Sequence, residues 1–301
     1  MGELETRELR YFVTVAEELH FGRAAERLGI AQPPLSRAVQ RLERRLGVSL
    51  LVRTSRRVEL TAAGEVLLAE GRAVLERVTA AERRTRRAGQ RGLVVVVKPS
   101  GDGGLLPDVL AAYEEDPDAA LAEMLMCGMG EQAGLLRAGR GDVALLHVTE
   151  RTDRTGLDSH ELLVERQVAV LPVGHPLAAR AALRLADLAG EQVVGGGGEL
   201  PVRDSGQLVQ LVALGRVVAV LPESIRSRLG QDLAAVPLCD APTVALHVAW
   251  PEGSTSRAAA AFVRAAVNVA DRHAVANARG EALSPGGAER QHGGFTGTLR
   301  Q

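Results

Sequence analysis

Gln32, Pro33, Ser36, Arg37, Gln40, Arg41 and Arg44 follow one another at intervals that put them on one side of a helix. Their amide, hydroxyl and guanidinium groups are the chemistry that reads base edges in a major groove. Amides match adenine, guanidinium matches guanine O6 and N7, and arginines also hold phosphates. The opposite side, Leu35 and Ala38, is apolar, and Leu28 and Ile30 precede it. Ala25 is small enough for two helices to cross closely, and Gly29 permits the positive φ of a tight turn between them. A solvated face of an ordinary bundle could carry a charge run too. The small crossing residue, the glycine turn and the unbalanced arginines together favour duplex DNA.

Between Arg37 and Arg57 there are seven arginines and one acid, Glu43. Arg53, Arg56 and Arg57 flank the tip of a short two-stranded pattern, 49–53 with 57–60, and suit phosphates or an adjacent minor groove. Residues 1–91 hold 18 arginines and 12 glutamates, a net of +6, against −7 for the remainder. The overall charge of −1 therefore hides a basic head on an acidic body, which points to a local polyanion site.

Other chemistries find little support. The chain has 35 arginines and one lysine, Lys98, and the Val97 before it excludes a phosphate-binding G-x-x-x-x-G-K-[ST] loop. Aromatics at 2% argue against a stacking platform for single strands. Cys127 and Cys239 are far apart and read as buried or inert thiols, while His147, His160 and His175 lack metal-ligand spacing. Gly195–Gly198 lacks the context of a dinucleotide fingerprint, and no G-x-S-x-G element occurs. No cofactor, metal or catalysis is implied. No apolar run approaches the ~18 residues of a membrane span, and MGELETRELR has no signal-peptide core, so the expected location is the cytoplasm.

The 301 residues set a soft expectation of two domains. Three helices are predicted first, with Thr6 capping one, Gly29 ending the second and Pro33-Pro34 opening the third, which stops at Gly47. Thr61 caps a long helix reaching about Ala88, and Gly89–Gly92 form a hinge. On that helix Leu67, Val74 and Ala81 recur every seven residues with Gly71 and Val78 between them, a narrow dimerisation seam. Beyond the hinge, strands are predicted over 93–97, 119–126, 143–147, 162–171, 217–221, 234–238 and 244–250. Helices fall near 105–113, 131–138, 207–214, 223–229 and 257–273, giving an α/β body with a mostly parallel sheet. The tail 276–301 lacks periodicity and is expected to be disordered.

Phe12, Ala24-Ala25, Leu28, Gln32-Pro33, Ser36, Leu42-Glu43, Leu46-Gly47, Arg53 and Leu60-Thr61-Ala62-Ala63-Gly64 resemble the winged helix-turn-helix of LysR-type transcriptional regulators. More loosely, LLRAGRGDVALLH (135–147), VAVLPVGHPLA (168–178), LADLAG (185–190) and LVALGRVVAVLPES (211–224) resemble that family's effector domain. The resemblance implies an α plus α/β chain. A winged helix-turn-helix (4–61), a linker and dimerisation helix (62–90) and a two-lobed α/β effector domain (91–275) would follow one another. It implies duplex DNA with a palindromic operator, self-association as dimer or tetramer, RNA polymerase and a small-molecule effector as partners, and no membrane. Gln32, Pro33, Ser36, Arg37 and Gln40 would approach bases, with Arg53, Arg56 and Arg57 on the wing.

Only GGGGELP separates Val194 from Val202, where the family usually carries a longer segment, so the second lobe is expected to be shortened. Ser100 and the Cys127-Gly128-Met129-Gly130 turn would line one wall of an effector cleft and Gly195–Leu200 the other, mobile one. An alternative is an effector-independent regulator whose body only oligomerises, and a more remote one is an α/β enzyme.

Overall fold

The computed structural model describes residues 4–53, 57–87, 92–150, 152–195, 202 and 205–278. The head begins with α1 (Thr6–Glu18), α2 (Phe21–Leu28) and α3 (Gln32–Leu46), followed by β1 (Leu51–Arg53), β2 (Val58–Leu60) and α4 (Ala62–Arg87). Glu5 occupies the capping position of α1 without a side-chain bond, so Thr6 is the first helical residue and not the expected cap. His20 caps α2 instead, its Nδ1 accepting from Gly22 N–H and Arg23 N–H at 3.0 and 3.1 Å. Gly29 (φ 65) and Gly47 (φ 73) end α2 and α3 in the left-handed conformation that glycine adopts without a Cβ penalty.

Leu35, Val39 and Leu42 of α3 bury against Phe12, Val15, Ala24 and Ala25, while Leu28 and Ile30 lie half-buried at the margin. Glu43 accepts from Leu50 N–H and Leu51 N–H at 3.0 and 3.2 Å, so α3 holds the start of the wing. Thr61 caps α4 as expected. Its Oγ1 donates to Ser49 O at 2.7 Å and accepts from Gly64 N–H at 3.0 Å. Gly64 lets the first turn of α4 lie on the wing, since a Cβ there would sit 2.1 Å from Leu50 O.

The long helix is used differently from its sequence pattern. A Cβ at Gly71 would fall 2.9 Å from both Leu9 Cδ1 and Val13 Cγ2, and Leu67, Leu68 and Leu75 pack into the head core. Leu67 and Gly71 therefore face α1 of the same chain, not an open seam. Val78 is half-buried and Val74 is exposed, and Val66, Ala69 and Ala73 form an exposed apolar stripe on the far side.

In the body, β3 (Gly92–Val97), α5 (Leu106–Glu114), β4 (Leu121–Met126), α6 (Gln132–Arg137), β5 (Val143–Val148) and β6 (Leu157–Glu165) build most of the first lobe. The second lobe holds β7 (Gln167–Pro172), β8 (Val193–Val194), α7 (Ser205–Ala213), β9 (Val218–Pro222) and β10 (Leu233–Pro237). The chain then returns through β11 (Val244–Pro251) and α8 (Arg257–Ala278). The first sheet has order β4-β3-β5-β11-β6 and the second β10-β7-β9-β8.

Two expectations are corrected here. The predicted strand 162–171 is two strands in two sheets, divided at Arg166. The sheets are mixed, not mostly parallel: β3–β4, β3–β5 and β8–β9 run parallel, while β11 runs against β5 and β6, and β7 against β9 and β10. A strand returning from the far lobe enters the first sheet in the opposite sense, so it must be antiparallel to the strands that ran outward. The predicted helix 223–229 is a 3-10 helix, Glu223–Arg228. The tail beyond Ala278, the hinge residues 88–91 and the loop 196–201 lie outside the described residues.

The first sheet is covered on both faces. Val95, Leu145 and Leu246 meet α5 and α8, where Tyr113 and Phe262 pack edge-to-face at 5.7 Å. On the other face Val96, Ala144 and Leu146 bury with Leu136 of α6. The loop after α6 in turn meets α4: a Cβ at Gly139 (φ 64) would lie 2.8 Å from Ala80 Cα, and Arg83 donates to Ala138 O at 3.0 Å.

Candidate nucleic-acid interface and effector cleft

With Leu35, Ala38, Val39 and Leu42 turned inward, α3 turns Gln32, Pro33, Arg37, Gln40, Arg41 and Arg44 to solvent, and Ser36 is half-buried among them. The two prolines sit in the first turn, where missing N–H groups cost nothing, and no acid neutralises that end of the helix. On the wing, Arg57 is highly exposed and its Nε lies 2.8 Å from Glu59 Oε1. Such an exposed pair is worth little, so a phosphate can displace it. Arg53 closes β1, its side chain not described, and Arg56 lies outside the described residues. Around α2, Glu17 and Glu18 hold Arg27 at 2.9 and 3.2 Å, and Glu17 also holds Arg72 of α4 at 3.0 Å. Glu17 and Glu18 are thus engaged within the frame of the head, as is Glu8 by Arg45, and among the described residues no ion pair reaches Arg37, Arg41 or Arg44 on the outward face of α3.

In the body, β3, β4, β5 and β6 all run the same way, so their carboxyl ends share one edge facing the second lobe. The edge lies where the connections from β3 and β5 part to opposite sides, the usual position of a ligand in an open α/β sheet. Lys98 and Ser100 follow β3, Cys127–Gly130 follow β4, His147 lies near the end of β5, and Glu165 ends β6. Ser100 is half-buried and holds φ at 58, a left-handed conformation that a serine adopts only at a cost. Gly128 N–H donates to Glu131 at 2.8 Å, and Met129 packs on the core of the second lobe.

Two polar ties cross the seam. Glu165 accepts from Ser224 N–H at 2.9 Å while its other oxygen shares a 2.8 Å hydrogen bond with His147 Nε2. Buried Asp102 accepts from Arg228 at 2.8 Å. Burial pushes the Glu165 carboxyl up, but the hydrogen bonds from His147 and Ser224 outweigh it and leave it below its ordinary value. Burial raises the Cys127 thiol to about 11, with Glu131 adding to the shift, so it stays a neutral, unreactive thiol. Cys239 is free and exposed, so of the two expected states, buried or inert, burial does not apply to it.

The family resemblance singled out Ser100, and its place after a strand singled out the 127–130 turn; both lie on this edge. Neither singled out Lys98, His147, Glu165 or the Asp102–Arg228 pair, whose meeting depends on strands far apart in the chain. On the opposite wall Gly195 (φ 91) lies against Val220, and Gly196–Leu200 are outside the described residues.

A small basic head that exposes one arginine- and glutamine-bearing helix, carried on two α/β lobes with a polar seam between them, defines a DNA-binding regulator with a two-lobed α/β domain. Residues 6–65 match the bacterial regulatory helix-turn-helix proteins of the lysR family, and residues 86–205 match the LysR substrate binding domain. The Hca operon transcriptional activator HcaR of Escherichia coli (strain K12) is 34% identical over 286 residues, covering 86% of this chain and 96% of that protein. The transcriptional regulator IlvR of Caulobacter vibrioides is 33% identical over 277 residues, covering 82% and 92%. Full-length CbnR, solved in complex with its target DNA, shares the architecture with a TM-score of 0.56 at 25% identity, over 88% of this chain and 100% of that one. The chain belongs to the LysR family: it is a DNA-binding transcriptional regulator with a winged helix-turn-helix and a small-molecule effector domain. No helix among the described residues is long and apolar enough to cross a membrane.

Proposed function

We propose that this regulator reads its operator through Gln32, Pro33, Ser36, Arg37 and Gln40. Arg53, Arg56 and Arg57 hold the flanking backbone, and occupancy of the seam between the lobes sets operator affinity. The observation that carries the reading is the outward face of α3, where among the described residues no acid pairs with Arg37, Arg41 or Arg44. The working units are 4–61 for DNA, 62–90 for pairing and 91–275 for the effector. The chain works as a homodimer or tetramer on a palindromic site in the cytoplasm, alongside RNA polymerase and without catalysis. Pairing runs along the open side of α4, through Val66, Ala69, Ala73 and Val74, because Leu67 and Gly71 are committed to α1. Two recognition helices would then lie ~34 Å apart or a multiple of it. A ligand shifts DNA affinity only by favouring one arrangement of the lobes over another.

The test is anisotropy titration of selected and random duplexes over a salt series. Arg37→Ala is expected to cost ~1–3 kcal/mol and relax preference at one base pair, as for a residue paired with guanine. Arg57→Ala is expected to weaken all sequences alike and to reduce the salt slope by about one. Equal affinity of the unaltered protein for selected and random duplexes would overturn the reading.

A further inference from the structure

Lys98 is the only lysine in the chain, and it stands at the carboxyl end of the central strand β3, on the edge that faces the second lobe. It is half-buried, and its stem lies over the following turn, where a Cβ at Gly101 would be 2.6 Å from Lys98 Cε. Among the described residues, the acids around this edge are otherwise engaged. Glu165 gives one oxygen to Ser224 N–H and the other to His147, Asp102 is held by Arg228, and Glu131 accepts from Gly128 N–H. The Cys127 thiol carries no charge at neutral pH. Among the described residues no hydrogen bond or ion pair reaches the Lys98 ammonium. Burial lowers its pKa, with Cys127 and Glu165 opposing that only in part, so the site presents a cation short of solvation. Among the described residues a second polar atom on the same edge, buried His147 Nδ1, also lacks a partner.

Such an arrangement is costly without a ligand and is relieved by one negative charge. Arg228 is neutralised by Asp102, so it supplies no second free cation. Met129, in the turn after β4 on the same edge, packs against the second lobe's core and is the apolar side chain offered to the ligand's body. We propose that Lys98 is the charge-reading residue of the cleft and that the effector is a small organic monoanion, a monocarboxylate seated on the Lys98 ammonium with its apolar part toward Met129. This rests on the reading of the seam as the effector site. Dianions are disfavoured because their second charge meets Glu165, and neutral analogues leave the ammonium unsatisfied.

The experiment titrates the full-length protein by calorimetry with sodium salts of linear, branched and aromatic monocarboxylates of two to eight carbons. Matched primary amides, the corresponding dicarboxylates and sodium chloride are run beside them. At least one monocarboxylate is expected to bind, at least tenfold tighter than its amide and its dicarboxylate. Lys98→Met is expected to lose that acid by tenfold or more, whereas Lys98→Arg keeps the preference for acid over amide. Thermal melts of Lys98→Met without ligand should match or exceed those of the unaltered protein, which separates lost recognition from lost folding. No acid bound, amides or dicarboxylates bound equally well, or full acid binding by Lys98→Met each overturns the proposal. Operator titrations distinguish the two readings. An acid that binds through Lys98 but leaves operator affinity unchanged sinks the effector reading and spares the anion site. An amide that binds irrespective of Lys98 and shifts operator affinity does the reverse.

Discussion

Gly64→Ala is a small change with a large predicted effect, because the new atom meets backbone. Its Cβ would lie 2.1 Å from Leu50 O and 2.9 Å from Leu60 Cδ2, whereas real Cβ contacts stay beyond 3.0 Å. The leucine side chain can turn aside, but the carbonyl belongs to the segment that Glu43 and Thr61 hold on either side. The first turn of α4 must therefore move off the wing by about 1 Å. Over-packing of this kind costs ~1–3 kcal/mol, and a fixed carbonyl argues for the upper end. Alanine returns up to ~1 kcal/mol through helix propensity, leaving a net loss of roughly 2 kcal/mol.

Hydrogen exchange read peptide by peptide should then show α4 and the wing exchanging about 30-fold faster, since 1.4 kcal/mol is a factor of ten. Operator affinity should fall with it. Gly29→Ala is the control. Its φ of 65 strains an alanine by ~1–2 kcal/mol, yet nothing lies within 4 Å of the new atom. Its effect should stay at the end of α2, leaving protection in the wing unchanged. Gly64→Ala with exchange within threefold of the unaltered protein and full operator binding would refute the reasoning.

Val66→Asp puts a charge on a side chain that is 65% exposed in the single chain, so the protomer should keep its melting curve while sedimentation shows the dimer dissociating. Gly71→Leu should do the opposite and destabilise the head by forcing α1 away from α4, visible as a lowered melting temperature. Glu165 is held below its ordinary value, so its contribution to stability is complete above about pH 4.5 and is lost as pH falls through the lower folded value. Glu165→Gln should remove that part of the acid dependence in urea melts between about pH 5 and pH 3; an unchanged acid limb would show that the tie carries no weight.

The head was legible because its rules are local. Gly29, Gly47, Thr61 and the inward pair Leu35 and Ala38 are each read from neighbours within a few residues, and the structure uses them as expected. Gly71 shows the limit of such reading. A small residue announces a close approach but does not say which helix approaches, and here it is α1 of the same chain. The run 162–171 looked continuous because every residue but Glu165, Arg166 and Gln167 is apolar. What divides it is a carboxylate engaged by two elements, one before it and one nearly sixty residues after. Lys98 gave only an exclusion in the sequence, since its isolation is a property of what surrounds it in space.

The chain passes between the lobes twice, at Arg166 and again between β10 and β11. The two passes are fastened side by side: Gln167 donates to Pro242 O at 2.7 Å, and Leu238 N–H donates to Gln167 O at 3.0 Å. Two adjacent straps bound together resist twisting and sideways sliding, and they leave one easy rotation about the line across them. A hinge of that kind favours opening and closing over twisting. Ligands seated between the lobes would then differ chiefly in whether they close or open them. A molecule that draws the lobes together and one that wedges them apart push the same lever in opposite directions, so opposing signals need only one site.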